Sequence, residues 1–265
     1  MADVDITIIG GGIIGTAIAR DAAGRGLRVA LLEQNDLGSG TTGASTKLIH
    51  GGLRYLEQGA FRMVKEALQE RTILLKMAPH IIWPSRFILP HHSGLRPAWQ
   101  LRIGLFIYDM LAGKNILPGT KSINLKPDEK GNPLQLQFRS AFEYSDCCVD
   151  DARFVVLNAV DAAKRGASIK TRAKFERAER RGDEWVVSYT MAGKPVTTTS
   201  LVLINASGPW VEQVNTFMPQ EIARAEVKLV KGSHIVVPRL FEHAKSYIFQ
   251  HDDGRVVFAN PYQTD

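Results

Sequence analysis

Asp5-Ile6-Thr7-Ile8-Ile9-Gly10-Gly11-Gly12-Ile13-Ile14-Gly15-Thr16-Ala17-Ile18-Ala19, followed by Arg28-Val29-Ala30-Leu31-Leu32-Glu33, is the stretch that decides the fold. The apolar run from Asp5 to Ile9, rich in β-branched residues, predicts a buried strand. Three glycines break it, and Ile14, Ala17, Ile18 and Ala22 then recur at helical spacing until Gly24 and Gly26 stop the helix. Arg28 to Leu32 predicts a second buried strand, ending at Glu33. Strand, helix, strand of this apolar kind implies a parallel pair joined by a right-handed crossover. Gly10-x-Gly12-x-x-Gly15 stands where a strand gives way to a helix, the context in which this spacing signals a dinucleotide site. Gly10 makes the tight turn, Gly12 lets backbone approach a pyrophosphate, and Gly15 lets helix and strand pack closely. Free N–H groups at the helix start, aided by the helix dipole, hold the phosphate charge. Glu33, about twenty residues on, can accept from a ribose 2′-hydroxyl and disfavours NADP. The motif does not separate NAD from FAD. Its N-terminal position, and a later return at Asn205-Ala206-Ser207-Gly208, favour FAD.

Outward from that unit, composition sets broad bounds. The 265 residues allow two domains, and 45% hydrophobic against 23% charged residues excludes a disordered, collagen-like or coiled-coil chain. The net charge of +6 is dispersed, permitting an anionic substrate or membrane surface without demanding either. The densest basic cluster, Glu176 to Arg181, mixes signs at an expected hairpin turn and reads as solvated, so no nucleic acid partner is expected. Cys147 and Cys148 are neighbours that bridge only with strain, hence free thiols in a reducing compartment. The acidic start Met1 to Asp5 is unlike a secretory signal, and nowhere do about 18 apolar residues run together to span a bilayer.

A second helix is expected from about Phe61 to Met77. Pro84, Pro90, Pro97, Pro118 and Pro133 then punctuate short extended segments and one apolar segment, Ala98 to Leu111. Asp146, Asp150 and Asp151 precede a helix from about Ala152 to Arg165, closed by Gly166. Ala167 to Arg172 reads as a strand, and Glu176 to Ser188 with Val196 to Ile204 as a β-meander. From Val227 onward the pattern is strands again. The fold class is therefore α/β: a Rossmann-like FAD-binding domain (βαβ plus β-meander) with an interleaved α+β substrate domain on a mixed or antiparallel sheet. Its expected boundaries are 1–78 and 149–220 for the FAD-binding domain, and 79–148 and 221–265 for the substrate or cap domain. The sequence stops within a strand region, which suggests a fragment.

Competing chemistries fit poorly. Gly38 to Lys47 looks superficially like a phosphate loop, but the lysine does not follow a glycine as GxxxxGK[ST] requires. There is no G-x-S-x-G elbow and no HExxH spacing, and His91-His92 reads as a polar turn, so no metal is expected.

Thr41-Thr42-Gly43-Ala44-Ser45-Thr46-Lys47-Leu48-Ile49-His50-Gly51-Gly52-Leu53-Arg54-Tyr55-Leu56-Glu57 carries a more specific signature. With Met77-Ala78-Pro79-His80, Leu95-Arg96-Pro97-Ala98-Trp99, Tyr144-Ser145-Asp146-Cys147, Asp150-Asp151-Ala152-Arg153, Gly208-Pro209-Trp210 and Lys231-Gly232-Ser233-His234, it resembles the FAD-dependent (aerobic, respiratory) glycerol-3-phosphate dehydrogenases. The resemblance covers essentially the whole chain and corresponds to the N-terminal half of that family. Ile14, Thr16, Gly43, Cys148 and Asn260 depart from its usual residues, none of them a phosphate-cradling glycine.

The resemblance implies oxidation of sn-glycerol 3-phosphate to dihydroxyacetone phosphate, with hydride passing from C2 to flavin N5 and electrons onward to quinone. It implies that Thr41, Thr42, Ser45, Lys47, Leu48 and His50 join Gly10, Gly12, Gly15, Glu33 and Gly208 around FAD. Arg54 and Tyr55 would bind the substrate phosphate, and Lys47 would offset charge on the flavin ring. His234 is a candidate base, with His50 and Arg54 beside it in the catalytic set. Structural readings stay open: a strand-start histidine at 234, a surface salt bridge for Arg54, a backbone hydrogen bond for His50. Ala98 to Leu111 reads as a core-packed helix of the second domain or, with Arg96 and Arg102, as a peripheral membrane face. The resemblance further implies a cytoplasmic location, peripheral on the cytoplasmic face of the inner membrane, and allows a homodimer. A glycerol-3-phosphate oxidase using O2, a non-catalytic FAD-binding fragment and, more remotely, an amine or amino-acid oxidase are the alternatives.

Overall fold

The computed structural model describes residues 1–113, 116–126, 128–219, 227–251 and 255–262. Its elements run β1 (Val4–Ile9), α1 (Ile13–Gly24), β2 (Val29–Leu32), β3 (Leu48–Ile49), α2 (Phe61–Met77), β4 (Ile82–His91), α3 (Ala98–Leu111), β5 (Lys121–Asn124), β6 (Ser140–Val149), α4 (Asp151–Lys164), β7 (Ser168–Lys170), β8 (Ala173–Arg181), β9 (Glu184–Met191), β10 (Lys194–Asn205), α5 (Val211–Asn215), β11 (Ser246–Gln250) and β12 (Val256–Ala259). Two compact units share the chain: Met1–Thr46 with Asp150–Ser233, and Lys47–Val149 with His234–Asp265.

The first unit holds a sheet in the order β7-β2-β1-β10-β9-β8. β7, β2, β1 and β10 are mutually parallel, and β10, β9 and β8 form an antiparallel meander. Strands buried on both faces carry near-continuous apolar runs, as β2 does, while β1 also buries Thr7. Ile8 and Leu31 pack with Ala19, Ala22 and Ala23 of α1 and Ala162 of α4, while Ile9 and Leu32 pack with Phe175, Val187 and Tyr189 of the meander. Small alanines let α1 and α4 lie close, and Arg20 bridges to Asp161 at 2.7 Å. Asp150 caps α4 by accepting from the Arg153 N–H at 3.1 Å.

The second unit has a mixed sheet ordered β12-β11-β4-β6-β3, with β5 sharing the β3 edge of β6. Phe87, Leu89, Phe142 and Tyr144 face Val64 and Leu68 of α2 and Leu105 and Tyr108 of α3, whereas Ile88 and Ala141 join Leu125 and Tyr247 on the other side. The helix expected from Phe61 to Met77 packs here through Val64 and Leu68, so the units divide at 46/47 where the sequence reading drew a boundary at 78/79. The expected boundary at 220/221 lies outside the described residues.

Two further differences have physical causes. Pro84 and Pro90, read as punctuation, both lie inside β4, a ten-residue strand. β11 pairs with β4 only at Phe87 and Ile88, so both prolines stand where one edge needs no N–H donor. Val227 to Leu240, read as strand, is in no ladder, and its apolar side chains are exposed. Alternation alone makes no strand without a neighbour to bond.

α3 packs on the core through one face and leaves an apolar stripe on the other. Leu105 and Tyr108 are buried in the core, while Trp99, Ile103, Phe106 and Met110 form an exposed stripe at i, i+4, i+7 and i+11. Arg96 pairs with Glu57 at 3.0 Å and Arg102 donates to Ser122 at 2.7 Å. Among the described residues no helix is long and apolar enough to cross a membrane.

Gly104 lies inside α3, and an added Cβ there meets nothing within 4 Å. Gly104→Ala is expected to stabilise by ~0.5–1 kcal/mol in urea unfolding. Leu31→Ala, at a fully buried position, is expected to destabilise by ~2–5 kcal/mol.

Candidate functional site

In the first unit β1, β2 and β10 are parallel, so their carboxyl ends open on one sheet edge, where doubly wound sheets bind ligands. The motif glycines meet different constraints there. Gly10 has φ +111°, and a Cβ on it would stand 2.5 Å from the Ala206 carbonyl oxygen. A Cβ on Gly15 would stand 1.9 Å from the Gly10 carbonyl oxygen, so α1 seats on the strand end only because no side chain intervenes. Chain neighbours aside, the one atom of the described residues within 4 Å of such a Cβ on Gly12 is Thr42 Oγ1, at 3.3 Å. Its backbone is open to an incoming group.

A helix start leaves N–H groups without intrahelical partners. The Gly11 N–H donates to Glu33 Oε2 at 2.7 Å and the Ile13 N–H to Thr42 Oγ1 at 3.2 Å. Among the described residues the N–H groups of Gly12, Ile14 and Gly15 have no acceptor. The other oxygen of Glu33 accepts from Asn35 N–H at 2.7 Å, and each oxygen keeps a lone pair for a sugar hydroxyl.

Residues 36–46 fold back over this start. The Gly38 N–H donates to Gly11 O at 3.0 Å and the Gly43 N–H to Gly38 O at 2.9 Å, carrying Thr41 and Thr42 beside the loop. Ser45 donates to Asp151 Oδ2 at 2.7 Å. β10 arrives alongside, with Ala206 N–H donating to Ile9 O at 2.8 Å. Asn205 Oδ1 accepts from Ser207 at its N–H and hydroxyl, shaping the turn into Gly208 at φ +60°. The Trp210 ring lies against Gly40, where a Cβ would come within 3.1 Å. Gly10, Gly12, Gly15, Glu33, Thr41, Thr42, Ser45 and Gly208 thus all belong to the first unit.

Lys47, Leu48, His50, Arg54, Tyr55 and His234 belong to the second. Lys47 holds φ +58°, a left-handed backbone that is costly for a side chain of this size, and its carbonyl accepts from Val149 N–H at 3.0 Å. Its Nζ is 6.0 Å from the Tyr262 ring centroid. Leu48 pairs with Cys148 in the β3–β6 ladder. His50 Nδ1 accepts from the Gly52 N–H at 3.0 Å. Gly52, at φ +71°, begins the 3-10 turn Leu53–Gln58, in which Leu53 and Leu56 face the core while Arg54 and Tyr55 face out. Arg54 makes no ion pair among the described residues, unlike the surface salt bridge its sequence also allowed. His234 lies in the exposed extended segment, not at a strand start.

The open Gly12 backbone, the orphan N–H groups of α1 and the carboxylate at the end of β2 suit the diphosphate and ribose of an adenine dinucleotide. Residues 5–265 match the family described as FAD dependent oxidoreductase. The chain belongs to that family. FAD is the cofactor of FAD dependent oxidoreductases, and the residues present fit it. The chain is 51% identical to D-erythritol 1-phosphate dehydrogenase of Brucella abortus over 98% of its length and 52% of the relative's. It is 47% identical to glycerol-3-phosphate dehydrogenase of Pseudomonas aeruginosa over 97% of its length and 50% of that protein's. The glycerol-3-phosphate dehydrogenase of Bacillus halodurans, solved with FAD, superposes with a TM-score of 0.68 at 23% identity, covering 98% of this chain and 45% of that one, a likeness of fold. The chain spans about half the length of the curated relatives it matches.

Sequence reasoning missed Asp151 as the partner of Ser45 and Trp210 as the wall over Gly40, since both pairings cross long stretches of chain. No periodicity announces such contacts. Gly15→Ala is expected to weaken FAD binding about a hundredfold, followed by flavin fluorescence, because α1 must shift to clear the carbonyl. Ile14→Ala, on an exposed side chain, is expected to retain wild-type affinity.

Proposed function

We propose that this chain, with FAD, oxidises a short polyol phosphate at the carbinol next to the phosphate ester. sn-Glycerol 3-phosphate is the substrate read here and dihydroxyacetone phosphate the product. What carries the reading is 47–51% identity over 97–98% of the chain to dehydrogenases named for two such polyol phosphates. The 51% identity to the D-erythritol 1-phosphate enzyme favours that longer polyol phosphate as the second reading. Both compounds carry a phosphate one carbon from a secondary alcohol, so one recognition loop serves either.

Bound FAD supplies the two-electron acceptor that takes hydride from C2 of the substrate. Arg54 holds the dianionic phosphate, since an exposed guanidinium without an ion pair among the described residues can present two parallel N–H donors. Tyr55, also exposed, donates a hydrogen bond beside it. Lys47 offsets negative charge at the cofactor ring, with Thr41, Thr42, Ser45, Leu48 and His50 alongside. His234 takes the hydroxyl proton, with His50 as the other candidate. Electrons pass on to a quinone, and the exposed stripe of α3 serves peripheral attachment at the membrane that holds it.

Anaerobic titration of the FAD-loaded chain tests this directly. Glycerol 3-phosphate or D-erythritol 1-phosphate should bleach the flavin, and glycerol and amines should not. Bleaching by amines alone would replace the reading with an amine oxidase; a stable flavin that no polyol phosphate bleaches would leave a binding module. Peroxide formed on readmitting air at the rate of bleaching would favour O2 over quinone as acceptor. Arg54→Ala is expected to raise the half-saturating substrate concentration about a hundredfold with FAD affinity unchanged.

A further inference from the structure

Behind the Gly51-Gly52 turn lies a buried ion pair, outside the residues assigned to cofactor or substrate above. Arg71 of α2 and Asp146 of β6 have side chains only 1% and 3% exposed, with Nη1 2.6 Å from Oδ1. The same Nη1 donates to the Ser145 carbonyl at 2.9 Å. The Tyr108 hydroxyl of α3 stands 2.9 Å from both oxygens of Asp146, and it accepts from the Gly51 N–H at 2.9 Å. That N–H is also 3.4 Å from Asp146 Oδ1. Two helices and a strand therefore converge on one backbone N–H.

Stability does not explain the arrangement. Removing two charges from water costs several kcal/mol, and apolar replacements of buried pairs are often neutral or better. What the network does achieve is local placement. A Cβ on Gly51 would lie 2.4 Å from Leu68 and 2.7 Å from the Tyr108 hydroxyl, so the loop is pressed onto the core as well as hydrogen-bonded to it. His50 is the preceding residue, held by the Gly52 N–H, and Arg54 follows within the turn that Gly52 begins.

We propose that Arg71, Asp146 and Tyr108 are positioning residues: they fix Gly51, and through it aim His50 and Arg54 at the substrate phosphate and reacting alcohol. This rests on the polyol phosphate reading above. Protonation supports it: burial first, and then the charge of Asp146, push the Tyr108 phenol well above its usual range, so its proton stays on and its lone pair stays toward Gly51. Burial also pushes the Asp146 carboxyl up, against the pull of Arg71.

Tyr108→Phe isolates the hydroxyl while leaving the ring against Tyr144, 5.9 Å between centroids. In the FAD-loaded protein, reduction by glycerol 3-phosphate should show a half-saturating concentration about tenfold higher, a limiting rate less affected, and unchanged FAD affinity. Asp146→Asn should move the same quantity in the same direction. Leu89→Ala, in the same core, should lower the melting temperature without that shift. Lower stability in Tyr108→Phe with wild-type half-saturation would overturn positioning alone. A wild-type flavin unmoved by any polyol phosphate would overturn the functional reading, and this proposal with it.

Discussion

One carbonyl oxygen governs how the first unit is assembled. Gly10 O sits where a side chain at position 15 would have to be, 1.9 Å from that hypothetical Cβ, so α1 begins directly against the end of β1, where the N–H groups of Gly12, Ile14 and Gly15 have no acceptor among the described residues. A Cβ on Gly10 would lie 2.5 Å from Ala206 O, so β10 reaches the same edge only because position 10 carries none. Bare donors and a positive helix end invite a diphosphate, and Glu33 closes the loop through the Gly11 N–H.

The second unit solves a different problem, that of holding the turn Leu53–Gln58, proposed to meet the substrate, on a core. Its turn Leu53–Gln58 turns Leu53 and Leu56 toward the core and Arg54 and Tyr55 outward, the result of 3-10 geometry laid across α2 and α3. Two left-handed backbones, at Lys47 and Gly52, bend the chain through this stretch. Only Gly52 adopts that conformation without steric penalty; Lys47 does so under constraint from the β3–β6 ladder that follows.

Local order was legible where periodicity and glycine spacing coincide. The first strand, helix and strand and the Phe61–Met77 helix match their sequence patterns, as does the return at Asn205. Where through-space pairing decides, sequence was mute. Ser45 meets Asp151, and Arg71 meets Asp146, across long chain separations with no spacing rule to announce them. Prolines in β4 misled because their tolerance depends on which edge has a partner, a property of the sheet and not of the strand. Val227 to Leu240 misled for the complementary reason: an alternating pattern needs a ladder, and none of the described strands supplies it. Of the candidate site, the glycines and Glu33 could be read from spacing, whereas Lys47, His50, Arg54 and His234 needed a resemblance to be noticed at all.

Equilibrium dialysis of the purified chain against FAD, with ADP as competitor, addresses the diphosphate cradle at the start of α1 most directly. Saturation at one FAD per chain, displaced by ADP, is the expected result if the adenine, ribose and phosphates take the proposed place in the loop between Gly10 and Glu33. A chain that is folded by circular dichroism yet takes up no flavin, or holds flavin that ADP never displaces, would contradict it.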